Sequence, residues 1–498
     1  MLASTNDNGA AGGGMLMRFR RAIGLMATMS MLASCGGGDG GSGGSGPGGA
    51  AATGSTPTPT ASAGCSLRAR QDWVAQQMNE WYLFPDLLPN ALDPSAYADV
   101  DTYLDALTAN ARAQRKDRYF TYLTSVAEEN AYISSGATAG LGIRLGYGSG
   151  NRLLVIESFE GAPALAAGID RGAQIVAVGS SEATLRNIAD IYASEGSDGL
   201  NRAFGPIDPG TVRVLRISDS NGVRNITLTG ADYQVSPVSS RYGNKVIDDG
   251  GRKVGYVNLR TFIASADDQL RSAFASFRSQ GITDVIVDLR YNGGGLVSTA
   301  QTLTDLLGAA RSTSEVQSYT TFRPSKSSEN EVRLFRREAQ SIAPTRVAFI
   351  GTGSTASASE YVINAMIPYL HGNAALIGTN TYGKPVGQIA RDNPACSDDR
   401  LRVIAFALQN AARQGDYYDG LATKVEASCQ ASDDTTRPMG DPNESATRAA
   451  LDFIAGRGCT RIGASASAAR TAGLFAPAQQ LLTPAKPNAA QRDTPGLF

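Results

Sequence analysis

Asp284-Val285-Ile286-Val287-Asp288-Leu289-Arg290-Tyr291-Asn292-Gly293-Gly294-Gly295 decides how this chain is read. Its short, mostly apolar start has the pattern of a strand buried on both faces. The strand empties into a glycine-rich turn and then a helix pattern. Arg346-Val347-Ala348-Phe349-Ile350 repeats the arrangement and leads into a helix beginning near Ser357. Upstream, Val254 to Leu259 reads as a strand and Asp267 to Gln280 as an amphipathic helix. Strands alternating with helices in this way predict an α/β core over residues 235–460.

Outward from that core the character changes. Residues 138–234 hold β-branched runs such as Leu153 to Ile156 and Val212 to Ile217, punctuated by glycine, and predict a mostly β domain. Residues 65–137 read as helical. Trp73, Val74, Gln77, Met78, Trp81 and Tyr82 form an apolar stripe that stops before Pro85, and a second helix is expected from Pro94 to Ala113. From Ala464 the chain is rich in Ala and Pro without sustained periodicity, so the tail, 461–498, is expected to be poorly ordered. The fold class is multidomain α/β.

A chain of 498 residues is too long for one core. With 45 Lys+Arg against 46 Asp+Glu, it lacks the basic excess that nucleic acid or an anionic membrane surface would select. Met17-Arg18-Phe19-Arg20-Arg21 and the apolar run Ala22 to Ala33 are too short for a membrane span and suit a secretory signal. Leu32-Ala33-Ser34-Cys35 resembles a bacterial lipobox, which makes 1–34 a lipoprotein signal peptide and Cys35 the lipidation site. Residues 35–64 read as a flexible Gly/Ser/Pro tether. Gly36 after the cysteine implies the outer membrane by the proteobacterial sorting rule. The expected location is therefore the cell envelope, facing the periplasm, with membrane contact by the lipid anchor only.

Cys65, Cys396, Cys429 and Cys459 suit two disulfides in an oxidising compartment. The expected pairs are Cys396–Cys429 and Cys65–Cys459, one of three pairings that four cysteines allow. None forms a Cys-x-x-Cys pair, so nothing in the sequence calls for a metal or an organic cofactor.

A single histidine in the chain nearly excludes a Ser-His-Asp hydrolase. A serine can instead be activated by a lysine that burial keeps neutral. Ser354-Thr355-Ala356-Ser357-Ala358-Ser359-Glu360 and Thr381-Tyr382-Gly383-Lys384-Pro385-Val386-Gly387-Gln388 supply the candidates Ser357 and Lys384. Taken singly, each motif has a plainer reading. The serines suit helix N-caps, and lysine is commonest at exposed turns. The three glycines suit a phosphate loop, although no Gly-Lys-Ser/Thr follows them. His371 is expected at the surface.

Taken together and in this order, the motifs resemble those of the C-terminal processing peptidases, also called tail-specific proteases. Asp288 to Gly295 matches that family's Asp-Leu-Arg-x-Asn-Pro/Gly-Gly-Gly. Thr355 to Glu360 matches its nucleophile segment, and Thr381 to Lys384 with Gln388 its lysine segment. Over roughly residues 66–460 the resemblance implies a helical segment, a PDZ domain and a crotonase-like catalytic core. It implies Ser357 as nucleophile, Lys384 as general base and Gln388 as the holder of the lysine amine. The backbone amides of Gly294 and Ala358 would form the oxyanion hole.

Gly140-Leu141-Gly142-Ile143 resembles the carboxylate-binding loop of a PDZ domain, whose glycines let amides turn toward a peptide end. The implied function is a serine endopeptidase that captures unfolded or exposed protein C-terminal tails and cleaves upstream, with delivery by an adaptor protein left open. An empty PDZ domain would cover or misalign the site until a tail peptide binds. Two departures stand out: extra residues around Pro368 to Asn373, and Pro385 where the family has glycine. They keep open the alternative of a catalytically silent, PDZ-type peptide-binding lipoprotein.

Overall fold

The computed structural model describes residues 63–463, 480–484 and 486–498. The expected signal peptide, Cys35 and nearly all of the tether lie outside the described residues. At the centre is a six-stranded sheet in the order Lys245–Asp249, Arg252–Asn258, Asp284–Asp288, Arg346–Gly351, Ala374–Gly378, Ala427–Gln430. Its first pair is antiparallel and the rest run parallel.

Because successive strand residues point to opposite faces, each strand feeds two cores. Val285, Val287, Val347, Phe349 and Leu376 share one core with the helices Ala266–Ser279, Val297–Leu306 and Ala358–Leu370. Ile286, Ala348, Ile350, Ala375 and Ile377 share the other with Ser445–Ile454. Burial on both sides accounts for the unbroken apolar runs. The expected α/β alternation is present, with strand and helix ends within a few residues of their sequence positions.

The N-terminal region is less separate than its sequence implied. The helix expected over Pro94 to Ala113 breaks into a turn at Pro94–Ala96 and the helices Val100–Leu107 and Ala109–Ala113. Asp99 causes one break, since its side chain accepts the Thr102 N–H and caps a new helix. Tyr122–Ser125 then leaves as a strand antiparallel to Asp399–Gln409. The same sheet holds Val316–Phe322, Glu331–Leu334 and Val386–Asp392. Val74, Met78, Tyr82, Leu104 and Phe120 are buried with Val386, Leu401, Val403 and Ile404. Residues 65–137 are thus a wall of the core.

Ile143–Tyr147, Leu153–Ser158, Gln174–Gly179, Val212–Asp219 and Gly222–Thr229 form an antiparallel sheet, as the β-rich sequence predicts. Helix Ile188–Phe204 packs on it through Ile191, Leu200 and Phe204.

Two expectations are overturned. The disulfides are Cys65–Cys396 and Cys429–Cys459. Cys396 sits in the turn between Val386–Asp392 and Asp399–Gln409, against which the chain's first described turn docks. Cys459 returns beside its neighbour because the Gln430 N–H donates to the Thr460 carbonyl at 2.7 Å.

The tail is also ordered over residues 480–484 and 486–498. The Leu482 N–H donates to the Leu145 carbonyl and the Tyr147 N–H to the Gln480 carbonyl, while Ala489–Asp493 forms a helix capped by Asn488. This segment has no apolar period of its own. Its order comes from pairing with a strand edge and from burying Leu481, Leu482, Leu497 and Phe498 in clusters built by other parts of the chain. No described helix is long and apolar enough to cross a membrane.

Candidate active site

The strands Asp284–Asp288 and Arg346–Gly351 are neighbours, so the turns that follow them meet. Thr355 Oγ1 donates to the Leu289 carbonyl at 2.9 Å, and the Ala356 N–H donates to the Asn292 carbonyl at 3.0 Å. Ser359 Oγ donates to the same Asn292 carbonyl at 3.0 Å. These bonds hold Ser357 at φ +54°, ψ −114°, at the head of helix Ala358–Leu370. A serine in that conformation costs roughly 1–3 kcal/mol and persists only where its surroundings enforce it. Strand, sharp turn and helix place Ser357 as nucleophilic serines are placed on other α/β folds. A Cβ at Gly294, where φ is +124°, would lie 2.8 Å from Ser357 Cβ, so only glycine fits opposite the serine.

Lys384 reaches the site from the other sheet. Its ammonium donates to Gln388 Oε1 at 3.1 Å and lies 5.1 Å from the centre of the Phe120 ring. Gln388 Nε2 donates to the Phe120 carbonyl. Arg118 clamps the lysine loop, its guanidinium donating to the carbonyls of Tyr382 (2.8 Å) and Gly383 (2.6 Å). Burial lowers Lys384 from 10.5 to about 8, with Asp493 and Asp117 opposing that shift. Pro385 is accommodated because it precedes the strand Val386–Asp392, where a missing donor is tolerated, and its carbonyl accepts the Leu408 N–H at 2.9 Å. Pro368 lies inside the helix Ala358–Leu370, which ends at its C-cap His371. His371 is exposed and meets Glu426 at 2.8 Å, away from Lys384.

Glu360 links the two motifs, and the sequence reading left it without a role. Its Oε2 accepts the Ser357 N–H at 3.1 Å and the Lys384 N–H at 2.7 Å. Its Oε1 accepts Thr381 Oγ1 at 2.6 Å and the Gly383 N–H at 2.7 Å. Burial raises its carboxyl to about 6 against these four donors. A Ser-x-x-Glu spacing at a helix start was the available signal, but it points to a local capping box.

The oxyanion candidates stand differently from each other. The Gly294 N–H donates to Asn292 Oδ1 at 2.9 Å. The Gly293 N–H instead donates to the Asp493 carbonyl at 2.9 Å. Ala358, the other candidate, is buried beside Gly294, whose added Cβ would lie 3.3 Å from the Ala358 nitrogen. The surrounding cleft, of about 870 Å³, is lined by Arg118, Phe120, Lys384, Gln388, Arg492 and Asp493.

The loop Gly140-Leu141-Gly142-Ile143 lies at the edge of the antiparallel sheet. Gly142 and Ile143 donate their N–H groups to one oxygen of Phe498, at 2.8 and 3.1 Å. Leu141 and Ile143 are buried, and Gly142 (φ +70°) leaves no room for a Cβ against Ala162.

Residues 253–411 match the model of peptidase family S41, and residues 69–122 match the S41 N-terminal domain. The chain is 28% identical over 236 residues to carboxyl-terminal-processing peptidase 3 of Arabidopsis thaliana chloroplasts, covering 47% of this chain and 42% of that one. It is 27% identical over 310 residues to a carboxy-terminal processing protease of Bacillus subtilis, covering 62% and 60%. The chain therefore spans about half the length of these relatives. A putative S41 protease from Bacteroides fragilis shares the fold, with a TM-score of 0.60 at 24% identity over 77% of this chain and 97% of that one. With the two matches in order along one fold, this chain carries peptidase S41 family domains and is a homologue of the carboxyl-terminal-processing proteases.

Proposed function

We propose that the protein is a serine endopeptidase of the Ser-Lys type that cuts protein substrates near their C-termini. The observation that carries this reading is the single Glu360 carboxylate bridging the backbones of Ser357 and Lys384, beside a lysine whose amine burial brings to about 8. A neutral Lys384 Nζ takes the Ser357 hydroxyl proton as Oγ attacks the substrate carbonyl, and then passes it to the leaving amine. Water releases the acyl group by the same route. The Ala358 and Gly294 N–H groups hold the oxyanion once the glycine turn rotates Gly294 away from Asn292. Removing one such donor typically costs about 100–1,000-fold in rate.

The sheet Ile143–Thr229 serves as a PDZ-type domain that binds unfolded or exposed C-terminal tails at the Gly140–Ile143 loop. The loop's two N–H groups on one oxygen and the backbone pairing that the edge of Ile143–Tyr147 makes with an extended segment support that reading. Cys35 anchors the protein to the outer membrane, facing the periplasm, through the lipobox-like segment that precedes it.

The test is proteolysis of one unfolded protein with either a free or an amidated apolar C-terminus, by the full chain and by Ser357→Ala. Cleavage of the free form alone, lost in Ser357→Ala, is the expected result. Turnover retained by Ser357→Ala would sink the nucleophile assignment. Equal cleavage of both termini would remove tail capture.

A further inference from the structure

The chain's own residues 486–498 lie against the Gly140–Ile143 loop and the Gly293 turn. Gly496 to Phe498 lie along the edge of Ile143–Tyr147, with Leu497 opposite Arg144 in an antiparallel bridge. The Phe498 N–H donates to the Ile143 carbonyl at 2.8 Å, and the Leu145 N–H donates to the Gly496 carbonyl at 2.9 Å. Phe498 is buried in the apolar core of that domain, its ring 5.3 Å from the Phe204 ring. Leu497 is buried on the opposite side among Tyr132, Phe159 and Tyr233. Gly496 (φ +84°) passes so close to the strand that a Cβ would lie 3.0 Å from the Leu145 carbonyl oxygen. Arg144 Nε donates to the Pro495 carbonyl at 3.0 Å.

Upstream, the segment crosses the candidate active site. The Arg492 guanidinium stacks 3.6 Å from the centre of the Tyr122 ring, and the Asp493 carbonyl takes the Gly293 N–H. A Cβ on Gly293 would meet the Arg492 carbonyl at 2.5 Å, so the tail is packed against the glycine turn itself. The half-buried Asp493 carboxyl favours the charged form of Lys384, which cannot accept a proton.

We propose that residues 486–498 are a built-in ligand that fills both the peptide groove and the active-site cleft, and that the groove accepts in their place peptides carrying the same chemistry: glycine, then a large aliphatic residue, then an aromatic one. This rests on the peptidase reading above and adds to it a substrate class and a self-occupied resting state. A tethered ligand competes at an effective concentration on the order of 1 mM. Substrates therefore displace it only with a matching end, and other proteins are spared.

The experiment uses the full chain and a labelled Asp-Thr-Pro-Gly-Leu-Phe peptide. Binding is measured in the Ser357→Ala background, with and without Phe498→Asp or Gly496→Val, both of which alter only the tail. Each tail variant is expected to bind the peptide at least tenfold more tightly and to lose protection of the Gly142 and Ile143 amides from hydrogen exchange. In the chain with its natural tail, excess unlabelled peptide is expected to speed tryptic cleavage after the half-buried Arg492 about tenfold.

Unchanged affinity in both variants, or tryptic cleavage indifferent to the peptide, would overturn the proposal. None of these readouts needs turnover. A tail that is released without any gain of proteolysis leaves this inference standing and counts against the peptidase reading. Proteolysis that is present but indifferent to tail release does the reverse.

Discussion

Glu360 and Lys384 are joined through the main chain, with Glu360 Oε2 accepting the Lys384 N–H at 2.7 Å while the same oxygen holds the Ser357 N–H. One carboxylate thus fixes the spacing between two turns that belong to different sheets. Glu360→Ala leaves the N–H groups of Ser357, Gly383 and Lys384 without this acceptor. Buried unsatisfied donors cost about 1–3 kcal/mol each where water cannot replace the partner. The expected outcome is a loss of roughly 3 kcal/mol in thermal unfolding and at least about 100-fold in turnover. Activity within a few-fold of the parent would mean that Ser357 and Lys384 find their positions without it.

The pH dependence follows from Lys384. Its amine is lowered from 10.5 to about 8 by burial, Asp493 and Asp117 push it up, and Arg492 and Arg402 push it down. Proton acceptance needs the neutral amine, so kcat/KM is expected to rise with pH through a midpoint near 8. Asp493→Asn removes the largest opposing charge and moves that midpoint to lower pH. Lys384→Arg stays charged throughout and is expected to match Ser357→Ala. A pH–rate profile of the parent and the Asp493 variant checks both signs, and a midpoint that moves upward in Asp493→Asn contradicts the assignment.

Gly294→Ala places a methyl group 2.8 Å from Ser357 Cβ and forces an L side chain to φ +124°. The glycine turn must also rotate for its N–H to reach a substrate oxyanion. The substitution is expected to lower kcat about 100-fold or more, while the affinity for a tail peptide at the Gly140–Ile143 loop stays unchanged. Separate measurement of turnover and peptide binding checks the split; loss of both would mean that the change has spread beyond the turn.

What could be read from the sequence was local. The strands around Val285, Val347 and Val254 announce themselves because burial on both faces removes polar alternation, and Ser357 and Lys384 lie in short motifs next to them. What could not be read depends on partners distant in sequence. The Cys65–Cys396 bond requires the N-terminal turn to dock on a hairpin 331 residues away. Phe120 reads as a stray aromatic until Tyr122–Ser125 pairs with Asp399–Gln409 and brings it over the lysine. Glu360 reads as a helix cap because its partners at Thr381 to Lys384 come from another sheet. The order of the tail is hidden for the same reason, since Leu497 and Phe498 show no period and take their order from the edge of Ile143–Tyr147.

Arg118 offers a test of whether the N-terminal wall acts on the chemistry. Its guanidinium binds the carbonyls of Tyr382 and Gly383, just before Lys384, and lies 4.2 Å from the centre of the Tyr382 ring. Its hydrogen bonds go to the lysine loop and to the Tyr418 carbonyl. Arg118→Ala frees the lysine loop while the Glu360 bonds remain, so Lys384 samples more positions and its amine becomes better hydrated. Hydration restores the charged form, which moves the midpoint of the pH–rate profile above about 8. Reduced positioning lowers kcat by about 10- to 100-fold. Arg118→Lys keeps a charge and a nitrogen donor but lacks the planar head that lies over the Tyr382 ring, and is expected to recover only part of the loss. A fall in kcat with an unmoved pH midpoint would assign Arg118 to the fold alone. A fall with an upward shift assigns the N-terminal wall a share in holding the base.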